Sequence, residues 1–408
     1  MLARPLDSLL GDDCPAEVRR HIGTLTAARL CANACFRYAP PFLATIARGT
    51  GVSLDDIGVA LAAAELAGLL SPLNARLVDR MPRRSAMVLG LLGVVAGTVL
   101  AASSQGMVLF AIGLIVLAQS KVTFDLGLGS WVSDHVPYET RSRVVGVTEI
   151  AWAGGLLLGV STMGLVTGAL GWRAGYATGA IAVLMFAGVV ARRLPREPHH
   201  TEVSAREAAG DRGRRSRLGS RAVLAIFISG SLMGSVQFLF VTFGSWLEDS
   251  FDFTAAMLAA VAFALGLGEL GASITSSRRT DAWGKERSIA LGAALMAPAA
   301  LGLVFVHDQL WLGLPLLAIA VLSFEFGIVS SVAIGTTLVP GSPALGMSLM
   351  LAGGTLGRAI TSIPATRLYA DHGIAWPAAM SAVLAAATLL AAIVLHRTRP
   401  EATTLPTR

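Results

Sequence analysis

The sequence predicts an all-α integral membrane protein with twelve transmembrane helices arranged as two pseudo-symmetric bundles of six. Three observations predict this fold class. Of the 408 residues, 54% are hydrophobic and only 14% are charged, whereas soluble domains carry about a quarter of charged residues. Apolar stretches of about 20 residues, the length that crosses a bilayer, recur along the whole chain. Landmarks of the first half return in the second half in the same order.

Twelve apolar segments are long enough to span a membrane. The predicted spans are 25–47, 54–76, 86–104, 107–133, 144–168 and 174–194, followed by 221–246, 254–276, 288–306, 310–336, 344–368 and 374–396. They divide the chain into an N-terminal tail (1–24), a first bundle (25–195), a polar, arginine-rich linker (196–220), a second bundle (221–396) and a C-terminal tail (397–408).

The distribution of basic residues predicts which ends of the spans face the cytoplasm. Besides the tails and the linker, one set of gaps holds Arg76, Arg80, Arg83, Arg84, Arg141, Arg143, Arg278, Arg279, Lys285 and Arg287, whereas the opposite gaps hold only Arg48, Arg173 and Arg367. Basic residues beside spans stay on the inner face. The sequence therefore predicts a multi-pass protein of the cell (inner or plasma) membrane, with both termini in the cytoplasm.

Four landmarks repeat between the halves at a nearly constant offset. The pairs are Glu65 and Glu269, Asp79 and Asp281, Phe124-Asp125 and Phe324-Glu325, and Gly154-Gly155 and Gly353-Gly354. Repeats related by an axis along the membrane normal place one substrate site between them. The spacings Gly155-x-x-x-Gly159 and Gly353-x-x-x-Gly357 also predict close approach of neighbouring helices.

The charged loop between the second and third spans carries the strongest motif. Leu77, Asp79, Arg80, Arg83 and Arg84 stand at the places of a glycine-x-leucine-x-Asp-Arg-x-Gly-Arg-Arg pattern, with Ala75 and Pro82 replacing the two glycines. The second half keeps Asp281, Gly284, Lys285 and Arg287. This pattern resembles the signature of the major facilitator superfamily. Arg37-Tyr38-Ala39-Pro40 and Val136-Pro137-Tyr138 are most similar to bacterial sugar-efflux and multidrug-efflux permeases.

The resemblance implies a secondary transporter in which helices one, four, seven and ten line a central cavity. Cavity candidates for binding substrate or protons are then Arg37, Lys121, Asp125, Gln237 and Glu325. The resemblance also implies a gating loop with Asp79, Arg80, Arg83 and Asp281, in which Asp79 accepts hydrogen bonds from the start of helix eleven near Ser342. The other interpretation is that the arginines only hold the loop in the cytoplasm.

Ionisable groups at bilayer depth are costly and are functional candidates by default. Lys121 and Asp125 are four residues apart and can pair within their helix, either beside the substrate or only to neutralise each other. Glu325 has no basic neighbour within a turn, and a buried carboxyl without a partner favours the neutral form that a proton carrier needs. Asp125 and Glu325 are therefore the leading proton-coupling candidates, and Arg37 could hold either of them or an anionic substrate group.

The remaining charges within the spans receive a weaker assignment. The burial of Glu149 predicts a partner, and Arg358 in helix eleven is one candidate by the two-fold relation, which gives both a possible coupling role. Glu65 and Glu269 lie among small residues, and we expect them to hold helices together rather than to act in transport.

We predict proton-coupled efflux of a small organic solute by alternating access. A facilitator or importer without proton coupling is the alternative, and a non-transporting sensor or a polytopic enzyme is a third. The chain has neither a phosphate-binding glycine loop with Lys-Ser/Thr nor a His-Glu-x-x-His helix, and we expect no cofactor or metal. The predicted partners are the substrate, protons and the lipid bilayer, with no nucleic acid and with the protein as a monomer.

Overall fold

A computed structural model describes residues 10, 14–137, 141–195, 219–335, 338 and 343–398. Within these ranges, the side chains at 71, 72, 141–143, 277, 281, 332, 333 and 343–345 are not described. Most of the predicted tails and all but the last two residues of the predicted linker lie outside the described residues. The described part is helical and contains no strand.

Six spans form the first half, and each is one helix or two consecutive helices. In chain order they are Ala16–Arg37 with Leu43–Thr50 (span 1), Leu54–Ala67 with Ser71–Asp79 (span 2), Arg83–Ser103 (span 3), Met107–His135 (span 4), Arg141–Gly154 with Ser161–Leu170 (span 5) and Trp172–Arg193 (span 6).

The second half repeats this arrangement. Its spans are Ser220–Phe240 with Phe243–Phe251 (span 7), Ala255–Trp283 (span 8), Lys285–Val306 (span 9), Leu310–Gly335 (span 10), Pro343–His372 (span 11) and Ala375–Arg397 (span 12). The twelve predicted spans are therefore present, in two bundles of six.

Length and composition identify most of these spans as membrane-crossing. Nine helices within the described ranges are long and apolar enough to cross a bilayer, and a tenth is added if the two bent pieces of span 2 count as one. Spans 1 and 11 do not meet this test. Both carry arginines, such as Arg37 and Arg358, whose side chains pair inside the protein.

Four spans are interrupted, and one of them is span 7, which breaks between Phe240 and Phe243. Span 1 passes through a 3₁₀ turn at Pro40–Phe42, because proline removes a backbone donor and clashes with the preceding turn. Span 2 bends by 50° between 54–70 and 73–79. Span 5 contains the π-helical segment Gly155–Val160, a type of distortion that is frequent at functional sites.

Span 1 begins at Ala16, nine residues before the sequence prediction places it. Residues 16–24 look like a tail because Glu17, Arg19, Arg20 and His21 crowd together. However, Val18, Ile22 and Leu25 lie on one helical face and are fully buried. The helix of span 1 therefore begins within the segment predicted as the N-terminal tail.

The two ends of the molecule differ in charge and in packing. The basic end carries the loop between spans 2 and 3, and the opposite end carries the loop between spans 1 and 2. A single apolar core crosses between the halves through residues such as Phe42, Leu43, Phe243 and Trp246, which lie in the parts of spans 1 and 7 nearest the opposite end. The halves are therefore packed tightly together at the opposite end.

The predicted small-residue contacts are confirmed in both halves. A Cβ on Gly155 would lie 2.8 Å from the Cβ of Asn33, and one on Gly353 would lie 2.7 Å from the carbonyl oxygen of Ile226. Side chains on Gly159 and Gly357 would overlap span 1 and span 7, respectively. Span 5 thus packs closely against span 1, and span 11 packs closely against span 7. The two halves therefore share the same helix–helix contact.

Candidate functional site

A partly open cavity lies between the halves. It is lined mostly by apolar and aromatic side chains, as small-molecule sites usually are. All four of the helices expected to line it contribute, and so do spans 2, 5, 8 and 11. The lining residues are Phe36, Arg37, Pro40, Leu61, Ala64, Glu65, Leu114, Leu117, Trp152, Met233, Val236, Gln237, Phe240, Glu269, Val321, Phe324 and Arg358.

Arg37 of span 1 forms an ion pair with Glu269 of span 8, and both residues line the cavity. Its Nη1 and Nη2 donate to the two carboxylate oxygens of Glu269 at 2.8 and 2.6 Å, and Nη1 also donates to the Trp152 carbonyl at 3.0 Å. The guanidinium lies 4.6 Å from the Trp152 ring centroid and 5.3 Å from that of Phe240. Bidentate pairs of this kind are the strong ones, and the side chains are only 5% and 3% exposed.

Glu65 of span 2 forms the second ion pair across the cavity, with Arg358 of span 11. A single contact of 2.9 Å joins Arg358 Nη2 to Glu65 Oε2. The Arg358 Nε is buried and has no hydrogen-bond partner. These side chains are 19% and 12% exposed, so this pair is more open and less fully bonded than the Arg37–Glu269 pair.

The two glutamates were assigned only a structural role from the sequence, and the structure shows more. Glu65 and Glu269 both line the cavity, and each binds an arginine from the other half. Glu269 is 14 residues from either end of span 8, about 21 Å at 1.5 Å per residue. The pairs therefore join the halves at mid-depth.

Two arginines have partners that the sequence did not single out, for a common reason. Arg358 binds Glu65 rather than Glu149, and Arg37 binds Glu269 rather than Asp125 or Glu325. The sequence-based pairing assumed partners in cavity-lining helices or in the symmetry-related helix. The actual partners lie where spans of the two halves touch, and that contact depends on bundle packing rather than on spacing along the chain.

Lys121 and Asp125 pair as their spacing predicts, in a network that the sequence did not reveal in full. Lys121 Nζ lies 2.6 Å from Asp125 Oδ2, and Arg29 Nε lies 3.0 Å from Asp125 Oδ1. Arg29 Nη1 also contacts Glu149 at 2.7 Å. Each oxygen of Asp125 therefore has its own cation.

Arg29 is the member of this network that sequence reasoning missed. Arg29, Asn33 and Arg37 are four residues apart and so lie on one face of span 1. Asn33 donates to the Ala151 carbonyl of span 5 at 3.0 Å. This polar stripe was the available signal, and it shows that span 1 presents one hydrophilic face to spans 4, 5 and 8.

Glu325 of span 10 is buried and incompletely bonded. Ser273 Oγ donates to Glu325 Oε1 at 2.6 Å, while Oε2 is buried without a hydrogen-bond partner. Ser273 lies one turn from Glu269 on the same face of span 8. Glu325 is therefore linked to the Arg37–Glu269 pair through Ser273, which donates to Glu325 and lies one helical turn from Glu269.

The five predicted cavity residues divide into two groups. Arg37 and Gln237 line the cavity, and Gln237 Nε2 donates to Ser362 Oγ at 2.9 Å. Lys121, Asp125 and Glu325 are not among the lining residues. Lys121 Nζ lies 5.6 Å from the ring of Phe36, a lining residue, which places the Lys121–Asp125 pair directly behind the wall.

The predicted gating loop is tied to its own half. Arg83 Nε contacts Asp134 of span 4 at 2.9 Å and Arg83 Nη1 lies 3.6 Å from Asp79, while Arg80 is exposed. Ser342, the predicted partner region of Asp79, and the side chain of Asp281 lie outside the described part of the chain.

Polar contacts cross between the halves at the opposite end as well. Glu248 of span 7 forms an ion pair with Arg48 and accepts a hydrogen bond from Thr45 Oγ1 at 2.7 Å. Arg367 of span 11 lies 3.4 Å from Asp55 of span 2. Together with the shared apolar core, these contacts close the opposite end.

Twelve helices in two similar halves around a central cavity agree with the sequence comparisons. The profile of the Major Facilitator Superfamily matches residues 25–344. The chain belongs to this superfamily. It is thus a multi-pass membrane protein.

Known superfamily members share the fold at low sequence identity. The MFS-type transporter YwfA of Bacillus subtilis (strain 168), described as uncharacterized, is 23% identical over 274 residues, which cover 63% of this chain and 66% of YwfA. The chain therefore spans slightly less than two thirds of that relative. The crystal structure of a bacterial homologue of the human lysosomal transporter Spinster, inward-facing and occupied, has a TM-score of 0.75 at 13% identity and covers 93% of this chain and 97% of its own. The D-xylose-proton symporter also gives 0.75, at 15% identity and 95% and 99% coverage.

Proposed function

We propose that this superfamily member exports a small organic solute in exchange for protons, by alternating access. The observation that carries the proposal is the central cavity, which both halves line and which two ion pairs bridge at mid-depth. A site at the interface of two repeats can open to either side when the halves rock about it. The moving bodies that we propose are residues 16–195 and 219–398.

The contacts between the halves support a form of the transporter that is closed at the opposite end. Outward opening would require Arg48 to separate from Glu248 and Asp55 from Arg367. Because basic residues favour the cytoplasmic face, we assign the basic end to the cytoplasm of the cell membrane. Solute would then enter the cavity from the cytoplasm.

Glu325 is our proton carrier. It has a buried carboxylate oxygen without a partner, where a proton can sit, and it is one helical turn from an ion pair that holds the halves together. Asp125 lacks this property, since Lys121 and Arg29 occupy its two oxygens. We therefore retain Glu325 for this role and assign Asp125 to positioning spans 1 and 4.

The loop between spans 2 and 3 is proposed to control the basic end. Arg83 links Asp79 to Asp134, which fixes the loop to span 4 of the same half. Arg80 is exposed and is available to meet the other half when the basic end closes, and we propose that Asp281 takes part in the same contact.

A vesicle assay tests proton coupling. Purified protein is reconstituted with a pH-sensitive dye inside, and a panel of neutral, cationic and anionic aromatic compounds is applied. We expect at least one compound to drive proton movement in the wild type and not in Glu325→Gln. Glu286→Gln is the matched control, because Glu286 is a buried glutamate of the same half that pairs with Arg221 away from the cavity. Compound flux without proton movement would support a facilitator instead, and no flux for any compound would contradict transport.

A further inference from the structure

We propose that the cargo carries an anionic group, such as a carboxylate, sulfonate or phosphate, on an apolar body, and that Arg358 binds this group. The proposal rests on the transport function proposed above and names the chemistry of its substrate. It follows from a difference between the two arginines that line the cavity.

Arg37 already uses three of the four N–H groups on its two terminal nitrogens. Both donate to Glu269, one also donates to the Trp152 carbonyl, and the side chain is 5% exposed between two aromatic rings. Removing Glu269 from this fork would leave a charge buried without a partner, which is strongly unfavourable. The Arg37–Glu269 pair therefore acts as a permanent link between the halves.

Arg358 differs from Arg37 at its terminal nitrogens and in its exposure, which is 19% against 5%, while the Nε of both arginines is buried without a partner. A guanidinium has five N–H donors, and the described contact of the Arg358 side chain is the single one to Glu65. Its Nε is buried without a partner. A buried, unused donor on a fixed cation is unfavourable until an acceptor arrives, and a planar anionic group matches the guanidinium geometry.

The surroundings of Arg358 indicate the rest of the cargo. Gln237 lines the same wall, and its amide donates to Ser362, one turn along span 11 from Arg358. Only one of the two amide hydrogens is used there, so a second donor is within the same polar patch. Met233, Val236 and Phe240 continue this wall on span 7 and provide an apolar surface for the body of the ligand.

Glu65 then acts as an internal competitor of the substrate anion for Arg358. Its carboxylate holds Arg358 while the site is empty, and an arriving anion competes with it for the guanidinium. Removal of the Glu65 charge should therefore strengthen anion binding, whereas removal of Arg358 should abolish it. A pair that only fastens span 2 to span 11 would behave differently, since either single variant would then do the same damage.

Export suits an anionic cargo on electrical grounds. Moving one elementary charge through an inside-negative membrane potential is worth about 2.3 kcal/mol per 100 mV. An anion leaving the cytoplasm moves down this gradient.

The test compares matched ligands on purified full-length protein. The probes are 4-phenylbutyrate with 4-phenylbutyramide and benzenesulfonate with benzenesulfonamide, because each pair keeps the apolar body and changes the charge. Binding is measured by titration calorimetry and by thermal shift at millimolar concentrations. We expect an acid to bind the wild type more tightly than its amide, by about tenfold or more. Acids and amides binding alike, or no acid binding at all, would overturn the proposal.

Single and double variants of Glu65 and Arg358 distinguish an anion-binding site from an ion pair that only holds spans 2 and 11 together. Arg358→Gln should weaken acid binding by about tenfold or more, while Glu65→Gln should bind the acid at least as tightly as the wild type. The double variant Glu65→Gln/Arg358→Gln leaves no unpaired charge, so it should fold and still fail to prefer the acid. Arg221→Gln, which removes an arginine outside the cavity, is the control. Equal loss in both single variants with recovery in the double variant would show a fastener and contradict the proposal.

Failure of this proposal is distinguishable from failure of the transport function. Acid binding that depends on Arg358 without any vesicle flux would retain the anion site and contradict transport. Proton-coupled flux of neutral or cationic compounds that is unchanged in Arg358→Gln would retain transport and contradict the anion site.

Discussion

Arg37 and Glu269 join the two halves of the protein through a bidentate ion pair near the middle of span 8. They come from spans 1 and 8, are separated by 232 residues in the chain and are almost completely buried. The pair has its counterpart in Glu65 and Arg358 across the same cavity. The repeated glutamates thus mark two points beside the cavity at which the halves are electrostatically connected.

Removing one member of the Arg37–Glu269 pair should destabilise the folded protein. Glu269→Gln leaves a buried arginine without its counter-ion, and breaking a buried pair costs about 3–5 kcal/mol. We expect a marked fall in the melting temperature in detergent. The double variant Arg37→Met/Glu269→Leu, which leaves no buried charge, should recover much of the loss. A Glu269→Gln variant as stable as the wild type would contradict a permanent link.

The Lys121–Asp125–Arg29 network should respond unequally to loss of its members. Lys121→Met leaves Asp125 paired with Arg29, whereas Asp125→Asn leaves two cations with reduced compensation. We expect Asp125→Asn to lower the melting temperature more, with a difference of about 1–3 kcal/mol in stability. Folded Asp125→Asn protein should retain proton movement in the vesicle assay. Loss of coupling in that variant, at normal solute flux, would return Asp125 to the role of proton carrier.

A methyl group on Gly357 should disturb the contact between spans 7 and 11. A Cβ at this position would overlap the Gly230 backbone, and overpacking typically costs about 1–3 kcal/mol. Gly271→Ala is the matched control, since a Cβ there meets nothing within 4 Å. Thermal stability in detergent should fall for Gly357→Ala and not for Gly271→Ala. Equal stability of the two variants would show that the helices can separate without cost.

The spans and the two-fold repeat could be predicted from the sequence because both depend on local properties. Segment length and apolar content identify a span, and the repeated glutamates and glycine pairs keep their order. The start of span 1 was misplaced because residues 17–21 are mostly charged. Only their helical periodicity, which brings Val18, Ile22 and Leu25 to one face, indicates a helix.

The partners within the site could not be predicted, for a physical reason. Lys121 and Asp125 are four residues apart on one helix, and their pairing follows from helix geometry. Arg358 and Glu65 lie on helices from different halves, and nothing in the spacing along the chain brings them together. Arg37, Gln237 and Arg358 are recognisable in the sequence as polar or charged groups within spans, whereas the small residues around Glu65 and Glu269 indicate packing.

Crosslinking across the opposite end tests alternating access most directly. Thr45 and Glu248 lie in different halves and are in hydrogen-bond contact. Both are replaced by cysteine in a protein whose Cys14, Cys31 and Cys35 are changed to alanine, and a short, reducible bifunctional reagent joins them. We predict that vesicle flux stops in the crosslinked protein and returns on reduction, while each single-cysteine variant is unaffected by the reagent. Undiminished flux with the crosslink in place would contradict the central claim, because the halves would then not need to separate at this end.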